Sequence, residues 1–261
     1  MELKLQKVSL ITSLPGGKSR QRLFDINLTW SSSERVGLLG RNGSGKTSLA
    51  RLIVGLEKQT KGHVDTSGQH NVTIVMQRPE EHFQYETVGK QIHAYGKGLV
   101  YEAICNLLEQ VGLPIDIINR PPLTLSTGQQ RLVALACALS SSSQFIVLDE
   151  PMAGLDARDR ALVRTSLRDL HHNRPVSWLI VSHHPDDLFG LVDRLWVLNE
   201  GQLVYDGPFS EVPLAVLDLC LDPRNVSLFY HIRQFEERGI ALPKGIYSDL
   251  NPVAFFSQIR I

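Results

Sequence analysis

A glycine-rich stretch that ends in lysine and threonine has the residue types that bind phosphate groups. It reads GRNGSGKT over residues 40–47 and fits the pattern G-x-x-x-x-G-K-[ST]. Glycines let the backbone curl so that several N–H groups face one point, and a helix N-terminus at that point favours an anion. We therefore expect Lys46 to reach the outer phosphates of a nucleotide and Thr47 to place its hydroxyl on Mg²⁺.

The segments on either side of this loop are those that the motif requires. Residues 36–39 form a short apolar run typical of a buried strand, and Leu49, Leu52 and Ile53 follow with helical spacing. The sequence thus predicts a strand, the loop and a helix in succession. The predicted nucleotide-binding residues are Gly40, Asn42, Gly43, Ser44, Gly45, Lys46, Thr47 and Ser48.

Two acidic residues follow a second apolar strand. Residues 145–148 read FIVL and precede Asp149 and Glu150. Ligands of open parallel sheets bind at the carboxyl ends of the strands. Asp149 is expected to hold the Mg²⁺, while Glu150 can point towards an attacking water and polarise it.

Composition excludes several classes of protein. The 261 residues include 27 basic and 27 acidic side chains, so the charge imprint of a nucleic-acid-binding protein is missing and no nucleic-acid partner is expected. The three cysteines, Cys105, Cys137 and Cys220, have no disulfide or zinc spacing, and Cys137 is expected in the core. No apolar run approaches the roughly 18 residues that span a bilayer, and the N-terminus lacks a signal-peptide pattern.

The stretch LSTGQQR over residues 125–131 narrows the class. Ser126 and Gln129 form an S-x-x-Q capping box that predicts the start of a helix over residues 130–140, but capping does not explain Gly128. The stretch resembles the signature LSGGQ of ATP-binding-cassette (ABC) ATPases, with Thr127 in place of the first glycine. The resemblance implies that residues 126–129 bind the γ-phosphate of an ATP held by a second subunit.

Three further motifs match the same family in order. Gln77 fits the Q-loop glutamine that contacts Mg²⁺ and water, Asp156 in AGLD fits the D-loop, and His183 fits the switch histidine that contacts the γ-phosphate. The resemblance therefore implies an ATPase with ATP and Mg²⁺ as cofactors. The implied catalytic residues are Lys46, Gln77, Glu150 and His183, and the implied metal ligands are Thr47, Gln77 and Asp149.

The family resemblance covers roughly residues 3–208 and implies an α/β fold. It consists of a P-loop core, an N-terminal antiparallel β part, and a helical subdomain at about residues 79–140. A late hairpin is predicted around residues 197–204. Residues 1–208 are thus expected to form the ATPase domain, and residues 209–261 a C-terminal extension.

Three further stretches resemble the energy-coupling factor branch of the family, which powers uptake of vitamins and transition-metal ions. These resemblances are weaker than those of the core motifs. The stretches are QRPEEHF over residues 77–83, PMAGLD over residues 151–156 and FEERGIALP over residues 235–243. The implied partners are a second ATPase subunit, a transmembrane coupling protein and a membrane substrate-binding protein. The implied location is the cytoplasmic face of the membrane, and residues 87–94 are the candidate helix for the coupling groove. The alternatives are the ATPase of another ABC transporter class and a non-transport ABC ATPase.

Four points stay open in the sequence. Leu14 stands where the family has an adenine-stacking aromatic residue, which suggests relaxed base selectivity. Thr127 either weakens the composite site or is harmless, and the dimer is either homomeric or heteromeric. The tail helix with Leu228, Ile232 and Phe235 on one stripe, ending near Gly239, covers its own domain or pairs with the partner subunit.

Overall fold

The computed structural model describes residues 2–13, 19–65, 72–173, 176–220 and 227–239. Leu14 and residues 240–243 of the predicted tail motif lie outside these ranges. The chain divides into two compact units, one formed by Met1–Ser67 with Leu179–Ile261 and the other by Gly68–Trp178.

The described chain combines strands with helices and is an α/β protein, as predicted. The strands are β1 (Glu2–Ser13), β2 (Ser19–Ser31), β3 (Arg35–Leu39), β4 (Lys61–Asp65), β5 (Val72–Val75), β6 (Phe145–Asp149), β7 (Ser177–Ser182), β8 (Arg194–Asn199) and β9 (Gln202–Pro208). The helices are α1 (Lys46–Ile53), α2 (Val88–Tyr95), α3 (Tyr101–Gln110), α4 (Thr127–Ser140), α5 (Ala157–Asn173), α6 (Leu214–Cys220) and α7 (Leu228–Glu237). Among the described residues, no helix combines the length and apolar character that a membrane crossing needs.

The first unit contains the predicted antiparallel β part. Strands β2, β1 and β4 form an antiparallel sheet in that order. The pairing of β1 with β2 shifts register near Lys7 and Asp25, two non-glycine residues with φ of +51° and +47°. Such β-bulges turn the buried face of each strand by one residue, which explains why the apolar residues do not alternate uniformly along β1 and β2.

The same unit also contains strands β3, β8 and β9, and the glycine-rich loop follows β3. Strand β3 pairs in parallel with β8, and β8 pairs antiparallel with β9. The late hairpin of the sequence analysis is therefore confirmed. Of the predicted stripe of α7, Leu228 and Ile232 are buried and Phe235 is half-buried, and Phe229 is buried as well. Most of the stripe therefore packs within its own unit.

The second unit is mainly helical around a parallel strand pair. Strands β5 and β6 pair in parallel, and the fully described residues 79–140 contain three α-helices and three 3₁₀ turns without a strand. Helix α4 is buried along most of its length, and Cys137 on it is 3% exposed, as expected for a core thiol. Burial also raises the pKa of this thiol.

Two predicted helix boundaries differ from the structure. Helix α4 begins at Thr127 and not at residue 130, because Ser126 is its N-cap and the helix starts directly after the cap. Helix α2 is displaced by one residue from the predicted residues 87–94, since Thr87 is the N-cap whose side chain accepts a hydrogen bond from Lys90 N.

Candidate functional site

The glycine-rich loop lies between β3 and α1, which confirms the predicted succession of strand, loop and helix. Gly43 and Gly45 have φ of +83° and +106°, in the left-handed region that favours glycine. A Cβ atom at Gly45 would lie 2.8 Å from Arg22 O, and one at Gly40 would lie 2.4 Å from Leu198 O. The neighbouring backbone therefore permits only glycine at these two positions.

The lysine of the loop is held across it by backbone oxygens. Lys46 Nζ donates to Gly40 O at 2.8 Å and to Arg41 O at 3.2 Å. Lys46 is only 7% exposed, so its ammonium group is kept at the loop and not in open solvent. This places a fixed positive charge beside the first turn of α1, where the helix dipole also favours an anion.

Ser44 gives an independent indication that the loop fits a phosphate. Its Oγ is buried and has no hydrogen-bond partner among the residues that the structure describes. An unsatisfied buried hydroxyl costs about 1–3 kcal/mol. No side chain of the described chain caps the start of α1 either. An anionic oxygen bound in the loop would satisfy both groups, so the residues present fit the phosphates of ATP.

Gly201, in the hairpin between β8 and β9, supports the glycine-rich loop, and the sequence does not predict this contact. Gly201 N donates to Ser44 O at 2.9 Å, and Phe24 N donates to Gly201 O at 2.9 Å. A Cβ atom at Gly201 would lie 2.6 Å from Arg22 O. The turn between β8 and β9 thus fixes the loop, a contact that no local sequence pattern announces.

The two acidic residues at the end of β6 are buried in the second unit. Asp149 is 2% and Glu150 is 5% exposed. Glu150 has φ of +53°, in a region that a non-glycine residue enters at a cost of about 1–3 kcal/mol. Its carbonyl oxygen accepts hydrogen bonds from Arg131 Nη1 at 3.0 Å and from Ala153 N at 3.2 Å. The left-handed conformation is therefore held by hydrogen bonds to the main-chain carbonyl of Glu150.

Arg131 is a second residue that supports the site through a contact that the sequence does not predict. It lies on α4 and joins that helix to the backbone of Glu150. Burial lowers the pKa of its guanidinium, and the carboxylates of Glu150 and Glu80 act in the opposite direction. The guanidinium stays charged at neutral pH and so adds a positive charge beside the buried acidic residues.

The start of α4 has the predicted capping box. Ser126 Oγ accepts from Gln129 N at 3.3 Å, and Gln129 Oε1 accepts from Ser126 N at 3.2 Å. Gly128 has room for a side chain, because a Cβ atom there would lie 3.7 Å from Leu155 Cδ2 and 3.8 Å from Asp159 Oδ2. These are ordinary van der Waals distances, so packing against the part of the chain that the structure describes does not require glycine at this position.

The remaining predicted residues lie at the ends of elements. Gln77 is exposed two residues after the end of β5, and Asp156 caps α5 by accepting a hydrogen bond from Asp159 N at 2.8 Å. His183 is half-buried after β7, with its ring centroid 4.0 Å from that of His184.

The predicted site residues are distributed over both units. The glycine-rich loop and His183 belong to the first unit, while Gln77, residues 126–129, Asp149, Glu150 and Asp156 belong to the second. Asn42, Thr47 and Thr127 are exposed and Ser48 is half-buried. Their individual roles stay predictions.

Comparison with known proteins agrees with the motifs. Residues 23–153 match the family model of the ABC transporter. The chain is 32% identical to the energy-coupling factor transporter ATP-binding protein EcfA2 of Acetivibrio thermocellus, over 95% of this chain and 88% of that protein. It is 30% identical to the protein of the same name from Caldanaerobacter subterraneus, over 94% of this chain and 93% of that protein.

A solved structure supports the fold. The dimeric ATP-binding cassette MJ0796, bound to ADP and Pi, superposes with a TM-score of 0.70 and covers 79% of this chain and 98% of its own, at 23% identity. Together with the family match and the relatives, the glycine-rich loop and the buried acidic residues lead to one conclusion. The chain belongs to the ABC transporter family, as one of its ATP-binding and ATP-hydrolysing proteins.

Proposed function

We propose that the chain is the ATPase subunit of an energy-coupling factor importer, for a vitamin or a transition-metal ion, at the cytoplasmic face of the membrane. The similarity to EcfA2 proteins supports this proposal, because it extends over the C-terminal extension as well as the cassette. The observation that carries the mechanism is Gly128, whose lack of a side chain is not required by packing against the described residues.

The nucleotide roles follow from the chemistry of each residue. Lys46 and the N–H groups of the loop bind the phosphates of ATP. Thr47, Gln77 and Asp149 offer the hydroxyl, amide and carboxylate oxygens that Mg²⁺ prefers, and they are its proposed ligands. An ion held by these residues would neutralise charge that develops on the phosphates.

Hydrolysis transfers the γ-phosphoryl group to water. Glu150 accepts the proton of the attacking water as the bond to the β-phosphate oxygen breaks, and ADP and phosphate result. The buried position of Glu150 favours this role, since a carboxylate shielded from solvent interacts more strongly with a water beside it. His183 contacts the γ-phosphate and responds to its loss.

The start of α4 is proposed to bind the ATP of a second ATPase subunit. Ser126 offers a hydroxyl and Gly128 allows a phosphate to approach the free N–H groups of the first turn. Thr127 and Gln129 flank this contact, and Asp156 faces the partner subunit as the D-loop. Closing two subunits around ATP, followed by hydrolysis and release, provides the transport stroke.

A groove in the second unit is the proposed docking surface of the transmembrane coupling protein. Its volume is 770 Å³, and its lining includes Tyr85, Lys90, Tyr101, Ile104 and Ile118. Tyr85 and Tyr101 are 45% and 64% exposed, a concentration of large side chains at the surface. An apolar face of a short helix fits such a groove.

Gln91 on α2 connects this groove with the segment that follows Gln77. Its Oε1 accepts from Gln84 N at 3.0 Å and Tyr85 N at 3.1 Å, and its Nε2 donates to His82 O at 3.2 Å. Gln91 is 1% exposed, so these bonds are shielded from water. If a helix of the coupling protein bound in the groove and displaced α2, the segment after Gln77 would therefore move with it.

Affinity purification of the tagged chain from detergent-solubilised membranes tests the proposal. We expect a related ATPase, one transmembrane coupling protein and a small membrane substrate-binding protein. Replacing Tyr85 and Tyr101 with alanine should remove the coupling protein, whereas Leu123→Ala should not, because Leu123 is 63% exposed but lies outside the groove. Two conventional permeases, or only ribosomal partners, would contradict the proposal.

A further inference from the structure

The turn that carries His183 is closed by its own side chains. Ser182 Oγ donates to Asp187 Oδ2 at 3.1 Å and accepts from His184 N at 3.0 Å, and Asp187 N donates to His184 O at 3.1 Å. Ser182 and Asp187 are buried. The conformation after β7 therefore depends on a compact set of hydrogen bonds around His183.

Asp186, within this turn, binds the first turn of the C-terminal helix α7. Its Oδ2 accepts from Leu228 N at 3.1 Å and its Oδ1 accepts from Phe229 N at 3.0 Å. Ser227 Oγ accepts from Tyr230 N at 3.1 Å, so the helix start has two caps, one local and one from the turn. A carboxylate at a helix N-terminus is favoured by both the hydrogen bonds and the helix dipole.

An aromatic cluster makes a second connection between the same two segments. The ring of Phe189 lies 5.2 Å from Phe229 and 5.6 Å from Phe209 in edge-on arrangements, and Phe209 stacks on Phe229 at 4.4 Å. All three side chains are at most 2% exposed. Because Phe189 follows the turn and Phe229 belongs to α7, a displacement of this helix changes the packing on both sides of Asp186.

We propose that α7 positions His183 for ATP hydrolysis through Asp186, which makes Asp186 a positioning residue and the C-terminal extension part of the switch. The inference rests on the proposed role of His183. A carboxylate bound to two backbone N–H groups keeps the turn in one conformation, and the imidazole at its start keeps its direction. Loosening α7 releases the turn, while the glycine-rich loop that binds ATP shares none of these hydrogen bonds.

The test compares variants of the purified full-length chain. Asp186→Ala removes both acceptors, Asp186→Asn keeps the shape and one acceptor, and His183→Ala is the reference for loss of the switch. Tyr230→Phe is the matched control, because it removes the hydrogen bond from α7 to Asp218 Oδ1 at 2.7 Å without touching the turn. For each variant, kcat and KM for ATP are measured, with hydrogen exchange at the amides of Leu228 and Phe229.

We expect Asp186→Ala to lower kcat about tenfold, since small displacements of a reacting group have effects of this order. KM for ATP should change less than about twofold, as an interaction important only for the chemical step predicts. Exchange at residues 228 and 229 should accelerate, Asp186→Asn should show a smaller version of both effects, and Tyr230→Phe should keep the wild-type kcat. Adding Asp186→Ala to His183→Ala should lower kcat no further.

Two results for Asp186→Ala would overturn the proposal. Faster exchange with an unchanged kcat would show that the contact does not affect hydrolysis. Unchanged exchange would show that the contact itself is absent. If Asp186→Ala does not fold, the same two readouts on Asp186→Asn decide. A wild-type kcat in His183→Ala would instead refute the role of His183, and the positioning proposal with it. That outcome is distinguishable because it does not depend on any change at Asp186.

Discussion

Replacing Gly128 with alanine should make the folded chain more stable and the ATPase less active. Glycine in a helix interior is less favourable than alanine by about 0.5–1 kcal/mol, and this is the upper limit for Gly128, the second residue of α4. The nearest atoms to an added Cβ, at 3.7 and 3.8 Å, accept it without displacement. The free energy of unfolding should therefore rise by up to about 1 kcal/mol, which corresponds to about 2–4 °C in Tm for a chain of this size.

The same methyl group would occupy the space through which the ATP of the partner subunit approaches the first turn of α4. We expect kcat for ATP hydrolysis to fall about 100-fold, comparable with removing one donor that stabilises a transition-state charge. Nucleotide affinity of the isolated subunit should stay unchanged, because the glycine-rich loop is intact. Thermal unfolding, ATP turnover and nucleotide titration measure the three quantities on one preparation.

Gly55→Ala is the matched control for this substitution. Gly55 follows α1 with φ of +77° and has no atom within 4 Å of an added Cβ. Alanine there is strained by about 1–2 kcal/mol, so this variant should lose stability and keep its kcat. A Gly128→Ala protein with wild-type kcat at saturating ATP would refute the composite-site reasoning, and one that is strongly destabilised would refute the packing argument.

Four further outcomes are expected. Glu150→Gln should lower hydrolysis at least about 100-fold and leave an ATP-bound dimer that size-exclusion chromatography detects, and normal turnover would exclude Glu150 as the base. Arg131→Met should lower kcat more than it changes KM, because it removes the bond to Glu150 O; equal effects on both would contradict that reading. In native protein above pH 8, iodoacetamide should modify Cys105 before Cys137, because burial raises the pKa of the Cys137 thiol and keeps it protonated, and mass spectrometry of the peptides would show the reverse if this is wrong. ATP and GTP should bind with similar affinity in a nucleotide titration, and a large preference for ATP would contradict relaxed base selectivity.

The sequence predicts well those features that depend on neighbours in the chain. The loop between β3 and α1 follows from glycine spacing and flanking apolar residues, and the capping box of Ser126 and Gln129 follows from a four-residue pattern. Both were confirmed because local geometry decides them. The start of α4 lies three residues before the predicted residue 130, because Ser126 caps the helix and Thr127 directly follows the cap.

The missed contacts all join residues that are distant in sequence. Gly201 supports the loop, Arg131 binds the backbone of Glu150, and Asp186 caps α7, each through a pairing that the fold brings about. An arginine, a glycine or an aspartate taken alone has many structural uses, so no residue type or spacing distinguishes these three. Left-handed backbone at Glu150 is likewise invisible in sequence, because glutamate carries no preference for it.

The turn between β8 and β9 restricts how the protein can be engineered. A two-residue hairpin tip on a surface is ordinarily a tolerant place for inserting a tag, a reporter domain or new chain termini. Here the backbone of the tip donates a hydrogen bond to the glycine-rich loop and accepts one from β2. Both of its hydrogen-bonding groups are therefore used, and the tip cannot move without breaking one of these bonds. An insertion beside Gly201 would leave β8 and β9 paired but would remove the hydrogen bond that supports the phosphate-binding loop. A fusion protein made there would fold and yet bind nucleotide poorly.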